Sequence, residues 1–106
     1  MSSKRLELLP QAERDLKQAT VWYREQGGEA LALKWVDAAS AALRHIGAHP
    51  GSGASRYAHA MNIGGLRFWQ VHGFPYLIFY IERDTHVDVW RALHAQRDIP
   101  AWMGEP

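Results

Sequence analysis

The sequence contains no cysteine, which excludes a disulfide framework, a thiolate nucleophile and a Cys-type zinc site together. Its stability has to come from packing. No stretch approaches the roughly 20 apolar residues that a membrane-spanning helix needs. The opening MSSKRLELLP mixes Glu7 into its short apolar run and offers no small-residue cleavage site, so it reads as unprocessed. A cytoplasmic protein without a membrane partner is the expectation. A surplus of charge is also missing: 12 Lys and Arg face 11 Asp and Glu, for a formal net charge of +1. Binding to a phosphodiester backbone draws most of its affinity from clustered cations, so direct nucleic-acid binding is not expected. Lysine itself is absent after Lys34, and from Pro50 onward the basic residues are Arg56, Arg67, Arg83, Arg91 and Arg97. Guanidinium groups suit carboxylate and phosphate contacts, although isolated surface arginines need no functional reason.

Several chemical signatures are lacking as well. There is no glycine-rich phosphate loop, no Ser-His-Asp spacing and no paired-carboxylate motif. His45 and His49 stand four apart, a spacing that can bring two imidazoles to one metal, but no third ligand accompanies them. They read instead as histidines beside the negative end of a helix dipole. His86 and Asp88 share a strand face and are no stronger as ligands. No metal and no cofactor is expected.

What is present is a chain of 106 residues, 47% hydrophobic and 22% charged, enough for one folded domain over residues 1–106. Arg5 to Leu9 reads as a short strand ended by Pro10. Ala12, Leu16, Ala19 and Tyr23 then recur at helical spacing, until Gly27 and Gly28 end the helix. A second helix starts near Glu29, with Ala32, Val36, Ala39, Leu43 and Ile46 as its apolar stripe, and frays near Gly47. The short Gly-Gly link predicts an antiparallel helical hairpin. The following HPGSGASRYAHAMNIGG reads as a loop with little regular structure, long enough to draw interest to Arg56, Tyr57 and His59. The period then changes to two. Leu66–Val71, Tyr76–Glu82 and Thr85–Leu93 form three strands, the middle one apolar on both faces and therefore central. The final IPAWMGEP reads as a turn and a loose tail. The fold class is α+β, in the order β-α-α-β-β-β, with the hairpin packed on a small, mostly antiparallel sheet whose first strand pairs at an edge.

Two features carry candidate function. His94, Arg97 and Asp98 follow the last strand closely enough to converge. Arg97 could clamp an anion and His94 could move a proton, with Asp98 orienting either. The plainer reading is that Asp98 caps a turn and pairs with Arg97, while His94 fills a half-buried position; no nucleophile stands beside them. Five tryptophans are many for this length. Trp22 and Trp35 lie off the main apolar stripes of their helices, which suggests an exposed aromatic patch for a protein partner. Alternatively they pack on each other across the hairpin.

Taken in order, AERDLKQATVWY, HPGSG, GLRFWQVHGFPYLIFYIERD and above all VWRALHAQRD make the chain resemble the ParE branch of the RelE/ParE superfamily, the toxins of bacterial type II toxin-antitoxin pairs. The last two segments are the specific ones, and VWRALHAQRD is similar to that family's strand ending RVLHxxRD. The resemblance implies a small toxin neutralised by a cognate antitoxin; the assembly expected is a homo-oligomer or a toxin-antitoxin hetero-oligomer. ParE-like members poison DNA gyrase without known catalysis, whereas RelE-like members cleave mRNA on the ribosome. The near-neutral charge and the absence of a tyrosine after Arg97 fit the first, so gyrase inhibition is expected and catalysis is not. Arg67 and Arg97 match approximately the basic positions of the nucleases; were the chain a metal-independent endoribonuclease, Arg67, His94 and Arg97 would carry the reaction. As a binding protein it would meet its target or antitoxin through Arg67, Arg97, Trp22 and Trp35. A non-toxic interaction module on the same fold is the remaining alternative.

Overall fold

The computed structural model describes residues 3–97 and 99–100. Its elements are β1 (Arg5–Leu8), α1 (Pro10–Ala48), a 3-10 turn (Pro50–Ser52), α2 (Arg56–Met61), β2 (Leu66–Gln70), β3 (Tyr76–Glu82) and β4 (His86–His94). The strands form one sheet in the order β1-β4-β3-β2. β1 lies parallel to β4 at one edge, and the other two pairings are antiparallel. The α+β order and the edge position of the first strand are as the sequence indicates.

Pro10 opens α1, where its missing N–H would have had no helical partner. The helix is continuous in name only. At Gly28 the backbone turns to φ 77°, ψ −172°, a region essentially reserved for glycine, and the two arms fold against each other as a hairpin. Trp35 Nε1 of the second arm donates to Thr20 Oγ1 of the first at 3.0 Å, and the Trp35 and Tyr23 rings lie 5.4 Å apart. The second arm is turned by one position from the expected stripe: it buries Ala32, Trp35, Ala39, Ala42 and Ile46, while Val36 is 40% exposed and Leu43 only half-buried. The physical reason is volume. A stripe made mostly of alanines leaves space that the large Trp35 ring fills, so Trp35 is 1% exposed rather than at the surface.

One sheet face packs on α1 through Val71, Ile78, Tyr80, Val87, Val89 and Ala92. The opposite face carries a second core of Leu66, Leu77, Phe79, Ile81, Leu93 and Ile99, covered by Tyr57, Ala58 and Met61 from α2. The segment expected to be irregular therefore holds the 3-10 turn and α2. Helix α2 is ordered by what it covers: β3 is apolar on both faces, and the face turned away from α1 needs a lid. The loop before α2 is anchored by Tyr80, whose O–H donates to Pro50 O at 2.7 Å and accepts the Gly53 N–H at 3.1 Å. A side chain at Gly53 would run into the Tyr80 hydroxyl and the Phe68 carbonyl.

Strand β4 is not a plain alternation. Phe79 faces Arg91 and Tyr80 faces Val89, which leaves Trp90 as the extra residue of a bulge. Val87 and Val89 before it and Ala92 after it therefore all point at α1, while Leu93 joins the other core.

Candidate functional site

An open groove of about 530 Å³ lies where the first arm of α1 crosses the C-terminal end of β4. Its helical wall is Asp15, Gln18, Ala19 and Trp22, which recur at steps of three, one and three and so share one side of the helix. Across from them stand Tyr76 of β3 and Ala92, Leu93 and His94 of β4, followed by Gln96 and Arg97. A volume of this size is in the range of small-molecule and side-chain-binding clefts.

The floor of the groove is fixed by an ion pair that joins helix to sheet. Arg91 Nε donates to Asp15 Oδ2 at 2.8 Å and Nη2 to Oδ1 at 3.0 Å, with both side chains about nine-tenths buried. Asp15 Oδ2 also accepts the Ala92 N–H at 3.0 Å. A two-pronged carboxylate–guanidinium contact of this kind fixes orientation as well as distance. Sequence reasoning missed Asp15, because its partner lies 76 residues away. The available signal was the run Asp15, Gln18, Ala19 and Trp22 on one helical side, next to the stripe that was read as core.

Tyr76 lines the middle of the groove. Burial raises its hydroxyl pKa above the ordinary value, opposed by the positive charge of Arg97 and reinforced by the negative charge of Asp15. Its ring meets that of His94 edge-on at 5.4 Å. His94 Nδ1 accepts the Gln96 N–H at 3.2 Å, and the Arg97 N–H closes the turn on His94 O at 3.0 Å. Thus the end of VWRALHAQRD folds into a tight turn organised around His94, with Arg97 exposed at the rim. Asp98, expected to cap or orient this cluster, lies outside the described residues, as does Trp102.

Of the two helical tryptophans only Trp22 reaches the surface. It is 51% exposed, forms one wall of the groove and touches the Tyr23 ring edge-on at 5.0 Å. Val21 at 50%, Leu33 at 55% and Val36 at 40% add further exposed apolar surface on the two arms of α1. Trp35 instead belongs to an aromatic cluster with Tyr23, Phe74 and Tyr76 beneath that surface. The expected pair of exposed tryptophans is therefore split, and Trp35 packs across the hairpin on the Tyr23 ring.

Arg67 stands apart from this groove. It faces Tyr80, which faces Val89, whereas His94 faces Tyr76. Four residues along β3 and two strand spacings across the sheet separate Arg67 from His94 by about 16 Å between Cα atoms. Arg67 Nη1 donates to Gly53 O at 2.7 Å and so holds the same loop that Tyr80 anchors. The Arg67–His94–Arg97 set that ribonuclease chemistry would need is not brought together. Of the other loop candidates, Arg56 lies over the Tyr57 and Phe68 rings at 5.2 and 5.1 Å and Tyr57 packs on the second core, while His59 is exposed. His45 stacks on Trp69 at 3.8 Å, with its Nε2 2.8 Å from Ser52 Oγ, and its ring is 5.2 Å from that of His49.

Comparison with known proteins follows the same architecture. The family model described as the ParE toxin of the type II toxin-antitoxin system parDE matches residues 6–99. Among solved structures, a chromosomal ParDE toxin-antitoxin system from P. aeruginosa is similar with a TM-score of 0.74 and 18% sequence identity, over 89% of this chain and 98% of that one. At that identity the likeness is one of fold. No curated protein gives a significant match. Among the described residues, no helix is long and apolar enough to cross a membrane.

Proposed function

Because the chain belongs to the ParE toxin family of type II toxin-antitoxin systems, we propose that it arrests growth by binding and inhibiting DNA gyrase, and that a cognate antitoxin neutralises it. The observation that carries the choice of an inhibitor over an mRNA-cleaving enzyme is the separation of Arg67 from His94 and Arg97. General acid-base cleavage of a phosphodiester requires the proton-transferring and charge-stabilising groups within a few ångströms of one phosphate. Arg67 lies about 16 Å from His94 between Cα atoms, and its guanidinium is turned to the Gly53 carbonyl. A protein whose effect is exerted by binding needs surface instead, and Trp22, exposed beside a groove with Arg97 at its rim, is of the kind that dominates protein interfaces. In this reading Trp22 and Arg97 contact a protein partner, Trp35 supports Trp22 from beneath through Tyr23, and Arg67 keeps the loop before α2 in place. The exposed Val21, Leu33 and Val36 supply apolar area for the antitoxin.

Purified gyrase provides the test. Added to a supercoiling reaction, the chain should suppress supercoiling and accumulate cleaved DNA, and stoichiometric antitoxin should restore activity. Intact supercoiling together with translation-dependent cutting of mRNA in a cell-free system would assign the chain to the nuclease class. The absence of both, with no growth arrest on expression, would leave an interaction module.

A further inference from the structure

At the opposite edge of the sheet from β2, on the face away from α1, the parallel register places Arg5 beside His86 and Glu7 beside Asp88. We propose that Glu7, His86 and Asp88 form a binding site for a divalent transition-metal ion of the Zn2+ type, which clamps the edge strand β1 to β4. His86 Nε2 lies 3.1 Å from Glu7 Oε2 and 3.0 Å from Asp88 Oδ1, and one ligand atom from each of the three residues falls within 4.8 Å of the others. Metal bonds of 2.0–2.1 Å to a tetrahedral ion put neighbouring ligand atoms about 3.3 Å apart. The two nitrogen–oxygen distances require adjustments of only a few tenths of an ångström. Without an ion, a single Nε2–H would have to serve two carboxylates at once.

The feature that separates this cluster from an ordinary surface ion pair is the use of the remaining polar atoms. Each ligand turns one atom inward and has its other atom held from outside. Glu7 presents Oε2 while Oε1 meets Arg5 Nη2 at 3.5 Å, and Asp88 presents Oδ1 while Oδ2 accepts from Arg83 Nε at 3.0 Å. His86 presents Nε2 while Nδ1 lies 3.1 Å from Thr85 Oγ1. This is the outer-shell arrangement that orients metal ligands. One imidazole and two carboxylates, with water in the fourth position, favour Zn2+, Co2+ or Ni2+ over Ca2+ and Mg2+, which prefer all-oxygen shells. The nearby guanidinium groups of Arg5 and Arg83 lower the affinity, Arg5 least because its side chain is 65% exposed and screened. The consequence for the fold follows from connectivity: Glu7 comes from a four-residue strand held only along one side, and both other ligands come from β4.

The site stands on different residues from the gyrase reading and is tested separately, on the chelator-treated protein. Co2+ should bind with one equivalent and develop the visible absorption of a low-symmetry nitrogen–oxygen site. Zn2+ at tenfold excess over its dissociation constant should raise the unfolding midpoint by roughly 6–11 °C and slow amide exchange at Leu9, whose N–H bonds to Val89 O of β4. Glu7→Gln, at a half-exposed position, and His86→Gln should each abolish the Co2+ spectrum, while a His45→Gln/His49→Gln variant should retain it. Loss of binding in the His45/His49 variant with retention in Glu7→Gln would overturn the assignment, as would failure of the wild-type protein to bind either ion at submillimolar concentration.

Discussion

Asp15→Ala is expected to be among the most damaging polar substitutions in the chain. Asp15 accepts three hydrogen bonds, two from Arg91 and one from the Ala92 N–H, and its side chain is 11% exposed against 9% for Arg91. Replacing both members of such a pair by well-packed apolar groups can be neutral, but removing the carboxylate takes away the two-pronged partner of a buried guanidinium and costs about 3–5 kcal/mol. A further ~1 kcal/mol comes from the Ala92 N–H, which loses its acceptor. Against the roughly 5–15 kcal/mol by which a domain of this size is stable, such a loss is a large fraction of the whole. Urea unfolding should therefore show a midpoint lowered by about 2–3 M at an unchanged slope, taking a slope of about 2 kcal/mol/M. Asp15→Asn, which keeps an acceptor for Ala92, should lose about half as much. A paired Asp15→Leu/Arg91→Met variant should recover much of the single-variant loss. If Asp15→Ala cost less than about 1 kcal/mol, the level of an exposed ion pair, the reasoning from burial would be refuted.

The remaining expectations concern the hairpin, the aromatic surface and the tyrosines. Gly28→Ala places a Cβ at φ 77°, ψ −172° and should destabilise the fold by about 1–3 kcal/mol, read as a lower thermal midpoint with unchanged near-ultraviolet dichroism below the transition. Trp22→Ala should change stability by less than about 1 kcal/mol yet weaken antitoxin binding by roughly 30-fold, measured by calorimetry; Trp35→Ala should cost about 3–5 kcal/mol by opening a cavity. Burial raises the pKa values of Tyr23, Tyr76 and Tyr80 above 10.0. Because the unfolded chain then ionises first, their contribution to stability is complete below about pH 10 and declines as pH rises through the folded values. Alkaline titration of tyrosinate absorbance should accordingly show late-ionising groups, with thermal stability falling over the same interval.

How much of this was legible in the sequence depended on the range of the interactions. The period-two runs, the stop at Pro10 and the Gly27-Gly28 break are local, and they placed the strands and the hairpin correctly. β3 was recognised as central because Leu77, Phe79 and Ile81 alternate with Ile78 and Tyr80, so neither face could be left to water. That same observation implied a cover for the second face, and α2 is that cover. Its brevity and the glycines and serines before it made it read as loop. Trp35 is buried because its volume fills the space that the neighbouring alanines leave, which apolar periodicity alone does not register. The Trp90 bulge leaves no mark on the sequence beyond a lapse in alternation. Contacts such as Asp15–Arg91 and Glu7–His86–Asp88 depend on sheet order, and the order β1-β4-β3-β2 brings the first strand beside the last.

That sheet order also bears on how one small surface would meet two partners. Both faces of β3 are covered, and β2 has its outer edge closed by the paired hydrogen bonds between Ala54 and Phe68 at 3.0 and 2.9 Å. The exposed apolar groups are accordingly concentrated on the two arms of α1, and the groove with Arg97 at its rim opens along the first of them. Under the proposed reading, Trp22 belongs to both surfaces, so antitoxin seated on the hairpin would obstruct the approach of gyrase to the groove. Neutralisation would then be competitive rather than conformational. In a binding assay, increasing gyrase should displace labelled antitoxin from the chain, and Arg97→Ala should weaken gyrase more than antitoxin while Trp22→Ala weakens both. Formation of a stable ternary complex would place the two partners on separate surfaces and refute the overlap.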